Sequence, residues 1–355
     1  IWNSLMAVPT ATPLQVDYCW QPELAREINR ALTNGQRELQ SFDVIHVEHL
    51  RGVRYALYAN KLDASNGNPA PPVIWDSVDC ISLLFREAAE KSQNHMGRAM
   101  TRFELKRTEQ YEAWITSQLS HILITSQRDK DNYLALLPPQ ESENKDSMIS
   151  VVSNGVDLNY FYPGSDDERE PASLVVTGKM SYHANIAMVL YLAEDIMPHV
   201  WASRPDTKLT IVGKDPGKEI QNLGNHPQIE VTGFVDDIRP YLQRASAAVA
   251  PTTYGAGIQN KVLEAMACAT PVVTSPSAYS PLAAEAGHDL LVADSPQEYA
   301  TSILSLLENP ARSRAIGING CQFVKANHDW DKLTGGLERI YRSAIEQAQW
   351  SQLPV

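Results

Sequence analysis

The chain has 355 residues, 43% of them hydrophobic, which is too long for one comfortable core and predicts two domains. Its net charge of −12 is spread evenly, −5 over residues 1–165 (15 basic, 20 acidic) and −7 over the remainder (15 and 22), so it makes a poor general nucleic-acid binder. The four cysteines (Cys19, Cys80, Cys268, Cys321) are far apart without a CxxC pair, which fits a reducing compartment and argues against a zinc site or a disulfide scaffold.

In chain order, "IWNSLMAVPT" reads as the interior of a domain, so earlier residues are expected before it. No signal-peptide pattern is present, and no apolar run approaches the roughly 20 residues that span a bilayer. Short apolar runs follow: "VIHV" (44–47), "VIWD" (73–76), "ILIT" (122–125) and "ISVVS" (149–153). The second half continues with "SLVVT" (173–177), "KLTIV" (208–212), "IEVTG" (229–233), "AAVAP" (247–251), "PVVT" (271–274) and "LLV" (290–292). Runs that are apolar inside and polar at their ends predict parallel strands buried on both faces. Helical patterns between them predict βαβ units and doubly wound sheets. The acidic stretch "YFYPGSDDEREPA" (160–172) is the predicted linker. The chain then divides into 1–160, 161–328 and a helix over 329–355 that crosses back to the first domain. That first domain is short of its initial strands, where a glycine-rich loop would be expected.

The chemistry concentrates in "YGAGIQNKVLEAMACATPVVTS" (254–275). A helix starting near Ile258 would offer the N–H groups of Gly257, Ile258 and Gln259 to a diphosphate. Lys261 in its first turn can neutralise phosphate. Glu264, at i+3 and about 4.5 Å further along the axis, can accept hydrogen bonds from ribose hydroxyls. A surface Lys–Glu pair is the plainer alternative. Other strand ends shift the balance toward a ligand site. "VTGKMSYHANI" (176–186) places Gly178 and Lys179 after a strand, and "LTIVGKDPG" (209–217) places Gly213 likewise. "VTGFVDDIRPYL" (231–242) adds Phe234 and Val235. Such strand ends are where open α/β sheets take anionic ligands.

These blocks, with "VSNGVDLNYFYP" and "AGHDLLV", resemble the donor domain of family 4 retaining glycosyltransferases of the GT-B fold, over residues 151 to about 325. "SFDVIHVEHLRG" and "RTEQYEAWITSQLSHILITSQRDKDNYL" extend the likeness into the first half, and the nearest branch serves exopolysaccharide assembly. The resemblance implies an α/β fold of two Rossmann-like domains facing a crevice. It also implies transfer of a hexose or uronic acid from a nucleotide-sugar, most often a UDP-sugar, with anomeric retention. The implied acceptor is a glycan or lipid-linked saccharide. Lys179, Lys261 and the helix N-terminus would stabilise the leaving diphosphate, Asn260 would lie beside it, and no cofactor is required. Two family positions are altered: the first of two glutamates falls on Ala256, and a second lysine falls on Ala184. Lys261 would take over phosphate neutralisation from the latter.

In the first half, "VIHVEHLRG" places His46, Glu48, His49 and Arg51 at a strand end. His46 matches a family histidine that contacts the donor sugar, and Glu48 stands where a second histidine is usual. A polar strand-end turn is the plainer alternative, and Asp76 and Asp79 of "IWDSVD" lie behind. The Asp-x-Asp pairs at 129–131 and 329–331 fit helix starts better than a metal site, so no metal is expected. "KSQNHMGRAMTRFELKR" (91–107) sets Met96, Met100 and Phe103 on one helical face, with Arg98, Arg102, Lys106 and Arg107 mostly on another. It packs on its own sheet, or it meets anionic lipid at the inner face of a membrane. A cytoplasmic glycosyltransferase is the leading expectation. A UDP-sugar epimerase on the same fold, or a catalytically idle nucleotide-sugar-binding partner, are the alternatives.

Overall fold

The computed structural model of the chain describes residues 12–35, 42–62, 71–91, 95–165, 168–252 and 257–350. They contain ten strands: β1 (Ile45–Glu48), β2 (Val73–Val78), β3 (His121–Ile124), β4 (Ile149–Val151), β5 (Ser173–Thr177), β6 (Lys208–Val212), β7 (Ile229–Gly233), β8 (Ala247–Ala250), β9 (Val272–Thr274) and β10 (Leu291–Val292). Each predicted run forms a strand, with ends displaced by no more than two residues. The strands build two all-parallel sheets, one in the order β1-β2-β3-β4 and one in the order β10-β9-β8-β5-β6-β7.

The second sheet is doubly wound. The chain runs outward from β5 to β6 and β7, then returns to lay β8 on the other side of β5. This reversal leaves a crevice at the carboxyl ends of the strands, the usual ligand position in open α/β sheets. Its central strands are buried along their whole length, while Glu230 on the edge strand β7 is exposed. In the first sheet, alternate residues serve opposite faces. Trp75, Ile122 and Ile124 pack with Leu50, Val53 and Ile115, while Ile74 and Leu123 pack with Ala344, Leu337, Ile340 and Tyr341. The last four sit at i, i+3, i+4 and i+7 of the helix Trp330–Trp350, the stripe that faces a core.

Two compact units result: the described residues up to Ser153 together with those from Thr334 on, and Asn154–Leu333. The boundary precedes the acidic stretch 160–172, which belongs to the second unit. There Arg239 Nη1 donates to the Tyr160 carbonyl (3.3 Å) and Gln243 Nε2 to that of Tyr162 (2.8 Å). The guanidinium carbon also lies 4.1 Å from the Tyr160 ring centroid. Composition alone cannot reveal such pinning.

The helix His95–Gln118 departs from both simple patterns. Met100 and Phe103 are 61% and 48% exposed, so they do not pack on the sheet. The buried stripe is Glu104, Arg107, Thr108, Glu112 and Ile115. Burying charge is tolerated because the groups are partnered. Arg107 Nη1 donates to Glu104 Oε1 (3.0 Å), and Leu14 N donates to Glu104 Oε2 (3.1 Å). Glu112 accepts from Ile81 N (2.9 Å), Ser82 N (3.2 Å) and Tyr133 Oη (3.1 Å). The Met96 side chain lies outside the described residues.

Candidate functional site

At the carboxyl ends of β5, β6 and β7 the second unit carries a cavity of about 500 Å³. Its wall takes Gly178 and Lys179 from the end of β5, Gly213 and Lys214 from β6, and Phe234 and Val235 from the turn after β7. Ile258, Gln259, Asn260, Lys261 and Glu264 close it from the segment between β8 and β9. The strand ends are laced together by their loops. Gly178 N donates to Val212 O (3.1 Å), Met180 N to Lys214 O (2.9 Å) and Gly213 N to Gly233 O (3.2 Å).

The helix at this cavity spans Asn260–Ala267, two residues later than the spacing predicted. Its core face is Val262, Leu263, Ala265 and Met266, which leaves Lys261 and Glu264 half-buried on the cavity side. Gly257, with φ of 86°, supplies the left-handed turn that leads into it. Gln259 occupies the N-cap position without a side-chain capping bond. While Val262 N donates to the Gln259 carbonyl (2.9 Å), the Asn260 and Lys261 amides ahead of it face the anion position of a helix start. Lys261 Nζ donates to Gln259 Oε1 (3.1 Å) and forms no ion pair with a carboxylate among the described residues. Burial lowers the Lys261 pKa, which the Glu264 charge partly offsets. Burial raises that of Glu264, opposed by Lys261. The two charges therefore stand apart in a desolvated wall rather than meeting as a surface pair.

Lys214 was not among the predicted site residues. The available signal was a Gly-Lys dipeptide closing two adjacent strands, Gly178-Lys179 and Gly213-Lys214. Ala184 is buried in the helix His183–Leu190, and Ala256 lies outside the described residues. Phe234 is 70% exposed at the cavity rim, an open aromatic face.

The first unit carries a separate polar cluster at the ends of β1 and β2. His46 and Glu48 share one face of β1, and His46 Nε2 lies 3.9 Å from Glu48 Oε1 and 3.8 Å from Asp76 Oδ2. Asp76 is the stronger neighbour, since its side chain is 23% exposed against 65% for Glu48. Both strand ends hold non-glycine residues at positive φ, His49 (61°) and Val78 (66°). Val78 is fixed there by its N–H to Asp76 Oδ1 (2.9 Å) and by Thr125, whose N and Oγ1 donate to its carbonyl (3.0 and 2.8 Å). For a β-branched residue this is a strained position.

Behind them, burial and the charges of Asp129 and Asp76 push the Asp79 pKa up to about 6. An acid whose folded pKa is raised contributes most stability below its unfolded value of 3.8 and loses it as pH rises through about 6. Asp79→Asn should therefore match wild type near pH 4 and exceed it by up to about 2 kcal/mol at pH 8. Urea unfolding at both pH values measures this. An unchanged or lower stability at pH 8 would contradict it.

Among the described residues, no group of three or more His, Cys, Asp or Glu side chains is placed to hold a metal. Asp129 sits in the first turn of the helix Gln127–Ala135, and Asp329 Oδ1 accepts from Asp331 N (3.1 Å) just ahead of the last helix. No helix among the described residues is long and apolar enough to cross a membrane, and all four cysteines are free thiols.

Residues 171–309 match the family described as Glycosyl transferases group 1. The chain is 28% identical over 214 residues to a D-inositol 3-phosphate glycosyltransferase of Segniliparus rotundus, covering 56% of this chain and 47% of that protein. It is 27% identical over 252 residues to an alpha-maltose-1-phosphate synthase of Mycolicibacterium smegmatis, covering 62% of each. The chain thus spans about half the length of the curated relatives it matches. Among solved structures, Anabaena HepE in complex with UDP superposes with a TM-score of 0.64 at 14% identity, covering 90% of this chain and 83% of that one. The likeness establishes the fold class expected from the motifs, two parallel-sheet Rossmann-like units of the GT-B type.

Proposed function

We propose that the chain transfers a hexose or uronic acid from a nucleotide-sugar, a UDP-sugar by preference, to a glycan or lipid-linked saccharide. The anomeric configuration is retained, and the product is a polysaccharide. One observation carries this reading: a single cavity gathers Lys179, Lys214, Lys261, Glu264 and an uncapped helix N-terminus. Three cations and a helix dipole suit a diphosphate. A carboxylate one helical turn further on suits ribose hydroxyls. The UDP bound to HepE, a protein of like fold, supports uracil as the base.

The leaving diphosphate gains charge as the glycosidic bond breaks, and fixed positive groups lower that barrier. The phosphate itself can take the acceptor's proton, so no protein nucleophile is needed. Within the first unit, His46 with Glu48 and Asp76 beside it forms a polar cluster suited to sugar hydroxyls. Exposed Met100 and Phe103 beside the exposed Arg102 and Lys106 favour contact with anionic lipid at the inner face of a membrane, where a lipid-linked acceptor would lie.

A donor screen in EDTA tests the assignment. UDP release that requires an acceptor is expected, with no metal added. An isomerised donor would instead make the protein an epimerase, and binding without turnover would make it an idle partner. Within the same assay, Glu264→Gln should raise the donor KM roughly tenfold at nearly constant kcat. Ribose contacts far from the reacting carbon are alike in ground and transition states, and the amide weakens charge-assisted bonds. An unchanged KM would remove Glu264 from the nucleotide site.

A further inference from the structure

The polar cluster of the first unit is completed by a residue from the far end of the chain. Tyr341 belongs to the apolar stripe of the helix Trp330–Trp350, and its ring packs with Ile74 and Leu123. Its hydroxyl reaches His46 Nδ1 at 2.8 Å, with the rings 5.8 Å apart and edge-on at 72°. On the other side of the imidazole, Nε2 faces Asp76 Oδ2 at 3.8 Å and Glu48 Oε1 at 3.9 Å.

A neutral imidazole carries one proton, and the partner at one nitrogen decides where it sits. Two carboxylates near Nε2 favour the proton there, which leaves Nδ1 as an acceptor. A phenol is then the matching donor. We infer that Tyr341 is a positioning residue: its O–H donates to His46 Nδ1, fixing the ring and holding its proton on Nε2. The cluster thereby presents an N–H donor at the carboxyl end of β1, flanked by two carboxylate acceptors. That combination recognises a polyhydroxylated ligand, because a sugar hydroxyl can accept from the imidazole and donate to Asp76 or Glu48. The assignment to a sugar rests on the proposed transferase reading, whereas the hydrogen bond itself does not.

The test uses the full chain labelled with ¹⁵N-histidine, with His46 identified by comparison with His46→Asn. Two-bond ¹H–¹⁵N correlations separate the two tautomers. Wild type should show His46 as the Nε2–H form. Tyr341→Phe keeps the ring and its packing but removes the donor, so the signature should move toward a mixture. Asp76→Asn, which leaves Tyr341 in place, should shift it as well by taking away the nearer carboxylate. In the transfer assay Tyr341→Phe should lower kcat roughly tenfold, as loss of an imidazole's orienting partner does elsewhere, with donor KM within about twofold. A wild-type Nδ1–H tautomer would overturn the inference, as would an unchanged signature in Tyr341→Phe. A shifted tautomer with unaltered kcat would overturn the positioning role. Absence of turnover on every donor in wild type would instead refute the transferase reading, with the tautomer result still deciding the bond.

Discussion

Lys261→Ala is expected to lower kcat by a factor of roughly 10² to 10³, about 2.7–4 kcal/mol, while weakening UDP binding much less. Three lysine ammonium groups serve the cavity, but they are not equivalent. Lys179 and Lys214 are exposed and their fields are screened by water. Lys261 is half-buried in a desolvated wall, held by Gln259 Oε1 at 3.1 Å, where the same charge acts more strongly. Its position is also fixed in advance, so it need not reorganise as the bond breaks. On the proposed reading, a nucleotide-sugar would bring diphosphate charge to the cavity, and more would accumulate on the leaving oxygen at the transition state. An interaction that grows along the reaction coordinate shows itself in kcat. Initial rates of UDP release and calorimetric UDP titration separate the two quantities. Equal losses in both would reduce Lys261 to a ground-state contact. No loss in either would return "NKVLEA" to an ordinary surface helix.

Gly213→Ala should cost the second unit at least about 4 kcal/mol and leave little folded protein at 37 °C. The reason is proximity of backbone to backbone. A Cβ on Gly213 would sit 1.7 Å from the Gly178 carbonyl oxygen, 2.9 Å from its carbon and 3.2 Å from Met180 Cε. A flexible side chain could swing away from such a clash, but this oxygen belongs to the loop that leaves β5. That loop is tied to β6 through Gly178 N to Val212 O and Met180 N to Lys214 O. Relief would require parting the ends of the adjacent strands β5 and β6. Gly335→Ala provides the control: it lies in the last helix with Arg339 Nη1 at 3.9 Å as its nearest atom. There the substitution should be neutral or stabilise by up to about 1 kcal/mol, since alanine favours helix. Thermal unfolding of both variants decides the matter, and a folded Gly213→Ala with wild-type stability would show that the two strand ends separate easily.

The strands were legible because burial on both faces writes itself as uninterrupted apolar runs, as in "SLVVT" and "AAVA". The cavity was legible because glycines and charges recur at successive strand ends. What escaped were features that join distant positions. Gly213 read as one more strand-end residue of a ligand site, whereas its first constraint is the Gly178 carbonyl, set by how two strands close. Tyr341 was not among the predicted site residues, and only the fold brings its hydroxyl to His46. The helix over 95–118 misled because apolar residues face solvent while Glu104, Arg107 and Glu112 are buried. Buried charge is permitted where partners exist, and those partners come from other segments.

The last helix has a consequence for how the molecule is made. Leu337, Ile340, Tyr341 and Ala344 cover one face of the sheet that holds Ile74 and Leu123, residues synthesised far earlier. At ribosomal speeds of 5–20 residues per second, the gap between Leu123 and Leu337 corresponds to roughly 10–40 s. During that interval the nascent first unit waits with an apolar sheet face uncovered, although its strands are already out of the exit tunnel. The second unit, from Asn154 to Leu333, is contiguous and can close first. Birth order and completion order of these two units are thus reversed: the one that emerges first is completed only once the helix Trp330–Trp350 has been made.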